Sequence, residues 1–292
     1  AQARHEAARA LADLWIDWLA TIQARELAKE QLGFAESSAS AVAGRRKAGD
    51  ASLLDLNAAQ ADAAEARRQF DAVQAQEAKA ILRLRARFPS LVMEPRSLSE
   101  PVELDMEEVQ WRERVLAESE TLRIMQESLK RAELTADRAR ADRIPDPTVG
   151  IYTASEARRS ERIVGVSVSI PLGGTYRRET MQEALKQVDV TRAELERQRK
   201  EVDLAIAETI NDARTALRRW RLAEQSAQMA RENARLGQRG YALGEGDLQS
   251  LLLLRRQSVD AVGASLSSRI EALKARNRLL VDAHLIWGLA DE

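Results

Sequence analysis

Between Tyr176 and Leu236 the apolar residues Met181, Leu185, Val188, Leu195, Val202, Ile206, Ala213, Leu217 and Trp220 recur at intervals of 4, 3, 7, 7, 4, 7, 4 and 3. Intervals built from threes and fours keep one narrow stripe of a helix against a neighbour, so the stretch predicts a supercoiled rod. At about 1.5 Å per residue the rod is on the order of 90 Å long, which no single globular domain needs. A chain built on such a rod buries seams instead of a thick core. Composition agrees, with 4% aromatic and 31% charged residues among 292, the mixture of long helices and coiled coils. The formal net charge of −1, with both signs interspersed, leaves no nucleic-acid footprint.

The other segments read as helices of the same kind. Leu11, Leu14, Trp18 and Ile22, spaced 3, 4 and 4, predict a helix from Ala1 to about Ala43, ended by Gly44 and Gly49. Asp50 or Ser52 caps the next helix, about Leu53 to Arg87, which Phe88-Pro89 stops. The stretch Pro89 to Pro101 is a connector. A short helix, about Met106 to Ala117, and a longer one, Thr121 to about Arg143, lead to Pro145-Asp146-Pro147, where proline excludes further helix. The Gly237-to-Gly246 region turns the chain, and a last helix runs from about Leu248 to Trp287. The expected division is a first helical hairpin over 1–88, a connector with shorter helices over 89–143, a β-hairpin over 144–174 and a second helical hairpin over 175–292.

One phrase occurs on both helical hairpins. Arg46-Lys47-Ala48-Gly49-Asp50-Ala51-Ser52-Leu53-Leu54-Asp55-Leu56 is echoed by Leu243-Gly244-Glu245-Gly246-Asp247-Leu248-Gln249-Ser250-Leu251-Leu252-Leu253. Matching Gly49 to Gly246 and Asp50 to Asp247 gives an offset of 246 − 49 = 197 residues, too long for a solenoid repeat and suited to two tandem halves. The elbows are either plain turns between antiparallel helices or tips on which a partner packs.

From Thr148 the period changes to two. Val164, Val166, Val168 and Ile170 alternate with Gly165, Ser167 and Ser169, and Val149 and Ile151 mark a weaker partner strand over Thr148 to Ser155. A polar loop, Glu156 to Glu161, joins them, and Pro171-Leu172-Gly173-Gly174 ends the pair. Two readings stay open: an edge hairpin covering helices, or two strands of a membrane barrel. About nine residues per strand suits a tilted bilayer crossing, with Val149, Ile151, Val164, Val166, Val168 and Ile170 toward lipid. Two strands cannot span alone, because unpaired backbone groups in lipid are too costly. The longest run of large apolar residues, Leu251 to Leu254, is far too short for a membrane helix.

Catalytic chemistry finds no support. The chain has no Cys and only two His. His5 and His284 sit in different halves without the i, i+4 pairing of a helical metal site. Gly173-Gly174 lacks the Lys-Ser/Thr of a phosphate loop. No enzyme activity, cofactor or metal centre is expected.

The ordered set of motifs resembles TolC-type outer-membrane efflux channels. It consists of Lys47-Ala48-Gly49-Asp50 through Asp55-Leu56, Tyr241-Ala242-Leu243-Gly244-Glu245-Gly246-Asp247-Leu248 through Leu254, the strand entry Ile144-Pro145-Asp146-Pro147-Thr148-Val149-Gly150 and the exit Ser169-Ile170-Pro171-Leu172. The strand flanks look most like the heavy-metal efflux outer-membrane subunits. The resemblance implies a mainly α fold: long antiparallel coiled-coil hairpins forming an α-barrel, with the β-hairpin contributing to a trimeric β-barrel. It implies a homotrimer in the outer membrane of a Gram-negative bacterium, helices in the periplasm, barrel strands in outer-membrane lipid, a periplasmic membrane-fusion adaptor and an RND-type inner-membrane pump. Gly49, Asp50, Ser52, Leu53, Leu54 and Asp55 would form one adaptor-facing tip, and Gly244, Glu245, Gly246, Asp247, Leu248 and Gln249 the other. The implied function is a passive exit duct for heavy-metal cations; drug efflux and type I secretion are alternatives, as are a periplasmic adaptor and a soluble coiled-coil scaffold. Many relatives carry an Asp six residues after the elbow glycine. Asp55 keeps it, but the second copy has Leu252 there, and Arg255 replaces a further acidic position.

Shifting the strand pair by the offset gives 147 − 197 = −50 and 170 − 197 = −27, so a first hairpin falls upstream of Ala1. The sequence is therefore expected to be a fragment without its N-terminal helix and hairpin. Three copies of one hairpin make six strands, below the eight of the smallest membrane barrels.

Overall fold

The computed structural model describes residues 2–144, 146–156, 161–170 and 174–286. Pro145, the middle of the Glu156–Glu161 loop, Pro171-Leu172-Gly173 and Trp287 lie outside them. Among the described residues six helices and two strands follow in the order α1 (Gln2–Ala48), α2 (Leu53–Arg87), α3 (Glu108–Ala117), α4 (Glu120–Ala141), β1 (Thr148–Glu156), β2 (Glu161–Ser169), α5 (Thr175–Leu243) and α6 (Leu248–Asp282). The chain divides into two units, one of Ala1–Glu118 with Ile206–Glu292 and one of Ser119–Ala205.

In the first unit, α1 packs against both α2 and α6. Its larger core joins Ile16, Trp18 and Leu19 of α1, Ala80 and Leu84 of α2, Leu98 of the connector and Leu273 of α6. The Trp15 and Trp18 rings meet edge to face at 4.9 Å, a favoured aromatic geometry. Arg269 of α6 holds the connector down, its Nε donating to the Ser99 carbonyl at 3.0 Å. Within α5, Ile206, Ala213 and Leu217 of the expected seam are buried, and Ile210 and Ala227 are buried with them. Glu224 lies in that seam and accepts a 2.6 Å bond from Ser265 Oγ of α6. A polar pair in an otherwise apolar seam fixes the register of the two helices.

In the second unit, α4 lies along the start of α5. Arg143 Nη1 approaches Met181 Sδ at 3.8 Å, and Arg177 donates to the Asp142 carbonyl at 2.8 Å. Leu122, Ala136, Met181 and Val188 are buried. β1 and β2 pair antiparallel, with Val149 opposite Val168, Ile151 opposite Val166 and Thr153 opposite Val164.

Two glycine readings change. Gly44 does not end α1, which runs helical to Ala48; only Gly49, at φ 89°, adopts left-handed geometry there. Likewise α5 runs through Gly237 and Gly240 to Leu243, and the turn is at Gly244, at φ 80°. Gly237 serves close approach instead, since a Cβ there would lie 2.5 Å from Leu254 Cδ1 of α6.

Candidate functional site

Both elbows are built by the same backbone bonds. At the first, Gly49 N–H donates to the Arg46 carbonyl at 3.2 Å and Asp50 N–H to the Arg45 carbonyl at 2.8 Å. At the second, Gly244 N–H donates to Tyr241 at 3.1 Å and Glu245 N–H to Gly240 at 2.9 Å. This double closure is a Schellman motif, with glycine where the left-handed residue belongs. The structural equivalent of Gly49 is therefore Gly244, an offset of 244 − 49 = 195 residues. The offset of 197 is corrected: repeated Gly-Asp letters had outweighed the backbone role of the glycine.

With this correction Ser52 matches Asp247 and Asp55 matches Ser250. The caps are mirror images. Ser52 Oγ accepts from Asp55 N–H at 3.0 Å, while Asp55 Oδ2 accepts from Ser52 N–H at 3.1 Å and from Ser52 Oγ at 2.8 Å. Asp247 accepts from Ser250 N–H at 2.9 Å and from Ser250 Oγ at 2.6 Å. One helix thus starts on a hydroxyl answered by an acid, the other on an acid answered by a hydroxyl. The serine bonds hold both carboxyls below the usual aspartate range, and Asp247 pushes weakly back on Asp55. The position six after the elbow glycine is Asp55 in the first copy and Ser250 in the second.

Packing joins the elbows to each other. Val42, Ala59, Leu248 and Leu251 form a buried cluster, with Leu56 and Tyr241 against it. The Arg45 guanidinium stands 5.3 Å from the Tyr241 ring centroid, within cation–π range. Leu53 is 58% exposed, whereas its counterpart Leu248 is 3% exposed. So Gly49, Asp50, Ser52, Leu53, Leu54 and Asp55 lie at one turn and Gly244, Glu245, Gly246, Asp247 and Gln249 at the other, with Leu248 supporting from beneath.

Gly49→Ala and Gly244→Ala are each expected to cost about 1–2 kcal/mol, the strain of a Cβ in left-handed backbone, because open space surrounds both positions. Gly44→Ala, inside a helix with equally open space, is expected to stabilise by up to about 1 kcal/mol. Urea midpoints compare the three. Equal midpoints for Gly49→Ala and Gly44→Ala would contradict the elbow geometry.

A second feature lies deeper along the hairpins. Arg255 of α6, its side chain 11% exposed, stacks 3.6 Å above the Phe34 ring. It also reaches Asp62 Oδ2 at 3.5 Å and Gln31 Oε1 at 3.3 Å. Burial lowers the Arg255 pKa and raises that of Asp62, while each charge opposes the other's shift. A guanidinium remains charged throughout the accessible pH range, so α6 is tied to α1 and α2 by a fixed cation.

The ribbon of strands has one apolar face. Val149, Ile151, Val164, Val166, Val168 and Ile170 are 58–79% exposed, and the register puts the first five on one side. The opposite side carries Gly150, Tyr152, Gly165 and Ser167. A Cβ on Gly165 would stand 2.6 Å from the Tyr152 ring, so the ring occupies the space that glycine leaves. No helix of the described residues is long and apolar enough to cross a membrane.

Spacing gave no reason to bring the histidines together, yet their ring centroids are 5.6 Å apart. His5 Nε2 lies 3.1 Å from Asp282 Oδ1, which also accepts from Arg9 Nε at 2.7 Å; His284 Nδ1 lies 3.1 Å from Glu118 Oε2. Among the described residues no group of three or more His, Cys, Asp or Glu side chains is arranged to hold a metal ion.

No protein-family model matches the sequence, and no curated protein matches it significantly. Solved structures do. The outer-membrane channel OprN superposes with a TM-score of 0.78 at 19% identity, over 98% of this chain and 68% of that one. The outer membrane protein VceC of Vibrio cholerae gives 0.74 at 16%, over 97% and 70%. CusC, described through its folding and transmembrane channel formation, gives 0.77 at 15%, over 96% and 68%. These neighbours are TolC-type outer-membrane channels, and the chain has their fold.

Proposed function

We propose that this chain is a wall segment of an outer-membrane exit duct, the passive channel of a tripartite efflux system. The observation that carries the reading is the β-ribbon, whose six large apolar side chains are exposed. A soluble scaffold needs that face packed on helices, and a periplasmic adaptor needs many more strands than the two-stranded sheet of the described residues. Lipid is the surroundings that a one-sided valine ribbon fits, provided other strands pair with its edges. The finer features follow from the resemblance: three copies around one tunnel, the Gly49–Asp55 and Gly244–Gln249 elbows against a membrane-fusion adaptor, and an RND-type pump supplying the energy. Heavy-metal cations are the cargo favoured by the strand flanks.

The full-length parent protein, expressed in a Gram-negative host, is expected to fractionate with outer membranes. It should require detergent for extraction and migrate as a heat-sensitive oligomer. Recovery as a monomer soluble without detergent would remove the duct reading. Loss of metal tolerance, with drug tolerance intact, on deleting the gene tests the cargo.

A further inference from the structure

Arg214, Arg218 and Arg221 follow one another on α5 at steps of four and three, so their side chains leave the helix along one stripe. Together with Arg276 of α6 and residues 101–106 of the connector they line a cavity of about 310 Å³. All of these residues belong to the first unit. Four like charges at one cavity repel each other unless anions stand among them.

Carboxylates answer two of the four. Glu103 of the connector meets Arg221 Nη1 at 2.8 Å, and Glu108 of α3 meets Arg214 Nη1 at 2.6 Å. Arg218 donates to Thr215 Oγ1 at 3.0 Å, a neutral hydroxyl on its own helix. The Nε of Arg276 is buried and has no hydrogen-bond partner among the described residues. A guanidinium cannot escape burial by losing its proton, so this donor calls for an acceptor from outside the chain.

The rest of the lining sets the body of the ligand. Leu104, Met106 and Leu217 border the same space, and a bare inorganic anion would leave them uncovered. A cavity of about 150 Å³ accepts benzene, so this one has room for a body of about two fused rings. Guanidinium planes also stack on aromatic faces, as Arg255 does on Phe34.

We propose that the cavity binds an organic anion, a carboxylate on a flat apolar body, with the charge on Arg276 and Arg218 and the body against Leu104, Met106 and Leu217. The excess of positive charge turns metal cations away, so this ligand differs from the cargo proposed above. The site lies within one unit of one chain, and it stands or falls independently of the duct reading.

Titration calorimetry of the full-length protein with naphthoate tests the site, with naphthylmethanol as the uncharged analogue and inorganic phosphate as the bare anion. The expected result is one naphthoate per chain, bound about tenfold or more tightly than either comparison probe. Arg276→Gln should weaken naphthoate by a similar factor. Arg218→Gln, at an exposed position, gives the same test should Arg276→Gln fail to fold. Arg197→Gln, in the second unit, should change nothing. Equal affinity for naphthylmethanol would mean an apolar hole without an anion site, and equal affinity for phosphate an anion site without a body. Unchanged affinity in both arginine variants would place naphthoate elsewhere, and no heat at millimolar naphthoate would mean no site. Each of these four results would overturn the proposal.

Discussion

Val166→Arg is expected to keep the protein out of the outer membrane while leaving its helices folded. Val166 sits in the middle of β2 opposite Ile151, on the exposed apolar face. On the lipid side of a membrane barrel an arginine near the midplane costs about 2–4 kcal/mol, and a ring of copies incurs that cost once per copy. Ser167→Arg is the matched control. It adds the same charge one residue on, to the face that carries Gly150 and Tyr152, and a water-facing site accepts it. Outer-membrane fractionation and helical circular dichroism of both variants check the expectation. Wild-type behaviour of Val166→Arg would mean that lipid never touches this face.

The second large effect is expected at Arg255. Replacing it by Ala should destabilise the first unit by about 2–4 kcal/mol, through loss of a desolvated cation–π contact, side-chain packing and a partly buried ion pair. The exposed pair Arg197–Glu201 serves as reference, since surface pairs contribute about 0–1 kcal/mol. Arg255→Met retains the stem and should recover part of the loss. Amide exchange at both elbows should rise in Arg255→Ala, because the residue ties α6 to α1 and α2. Arg255→Ala with unchanged urea midpoint and elbow exchange would show that the tie is idle.

Helices and ribbon were legible because their signals are periodic and local. Met181, Val188, Ile206, Ala213 and Leu217 of the α5 seam are buried, and Val164, Val166 and Val168 alternate along β2 as their intervals imply. Glycines misled. Helical hydrogen bonding carried α1 through Gly44 and α5 through Gly237 and Gly240, and only a positive φ marked the true stops. The elbow correspondence was nonetheless readable from the cap pairs, because Ser52 with Asp55 and Asp247 with Ser250 share a spacing of three. The Arg255 tie and the facing histidines were not readable. Each depends on contacts between the chain's distant parts, such as the 277 residues separating His5 from Asp282, and no local pattern records those.

Among the described residues the ribbon has two strands, so each strand has one flank whose amide hydrogens and carbonyls meet no partner within the ribbon. Water satisfies such flanks; hydrocarbon does not. On the duct reading, a copy entering the bilayer with these flanks unpaired would strand those groups, so entry would be coupled to their pairing with neighbouring strands. Insertion of the full-length protein should then rise more steeply than linearly with its concentration.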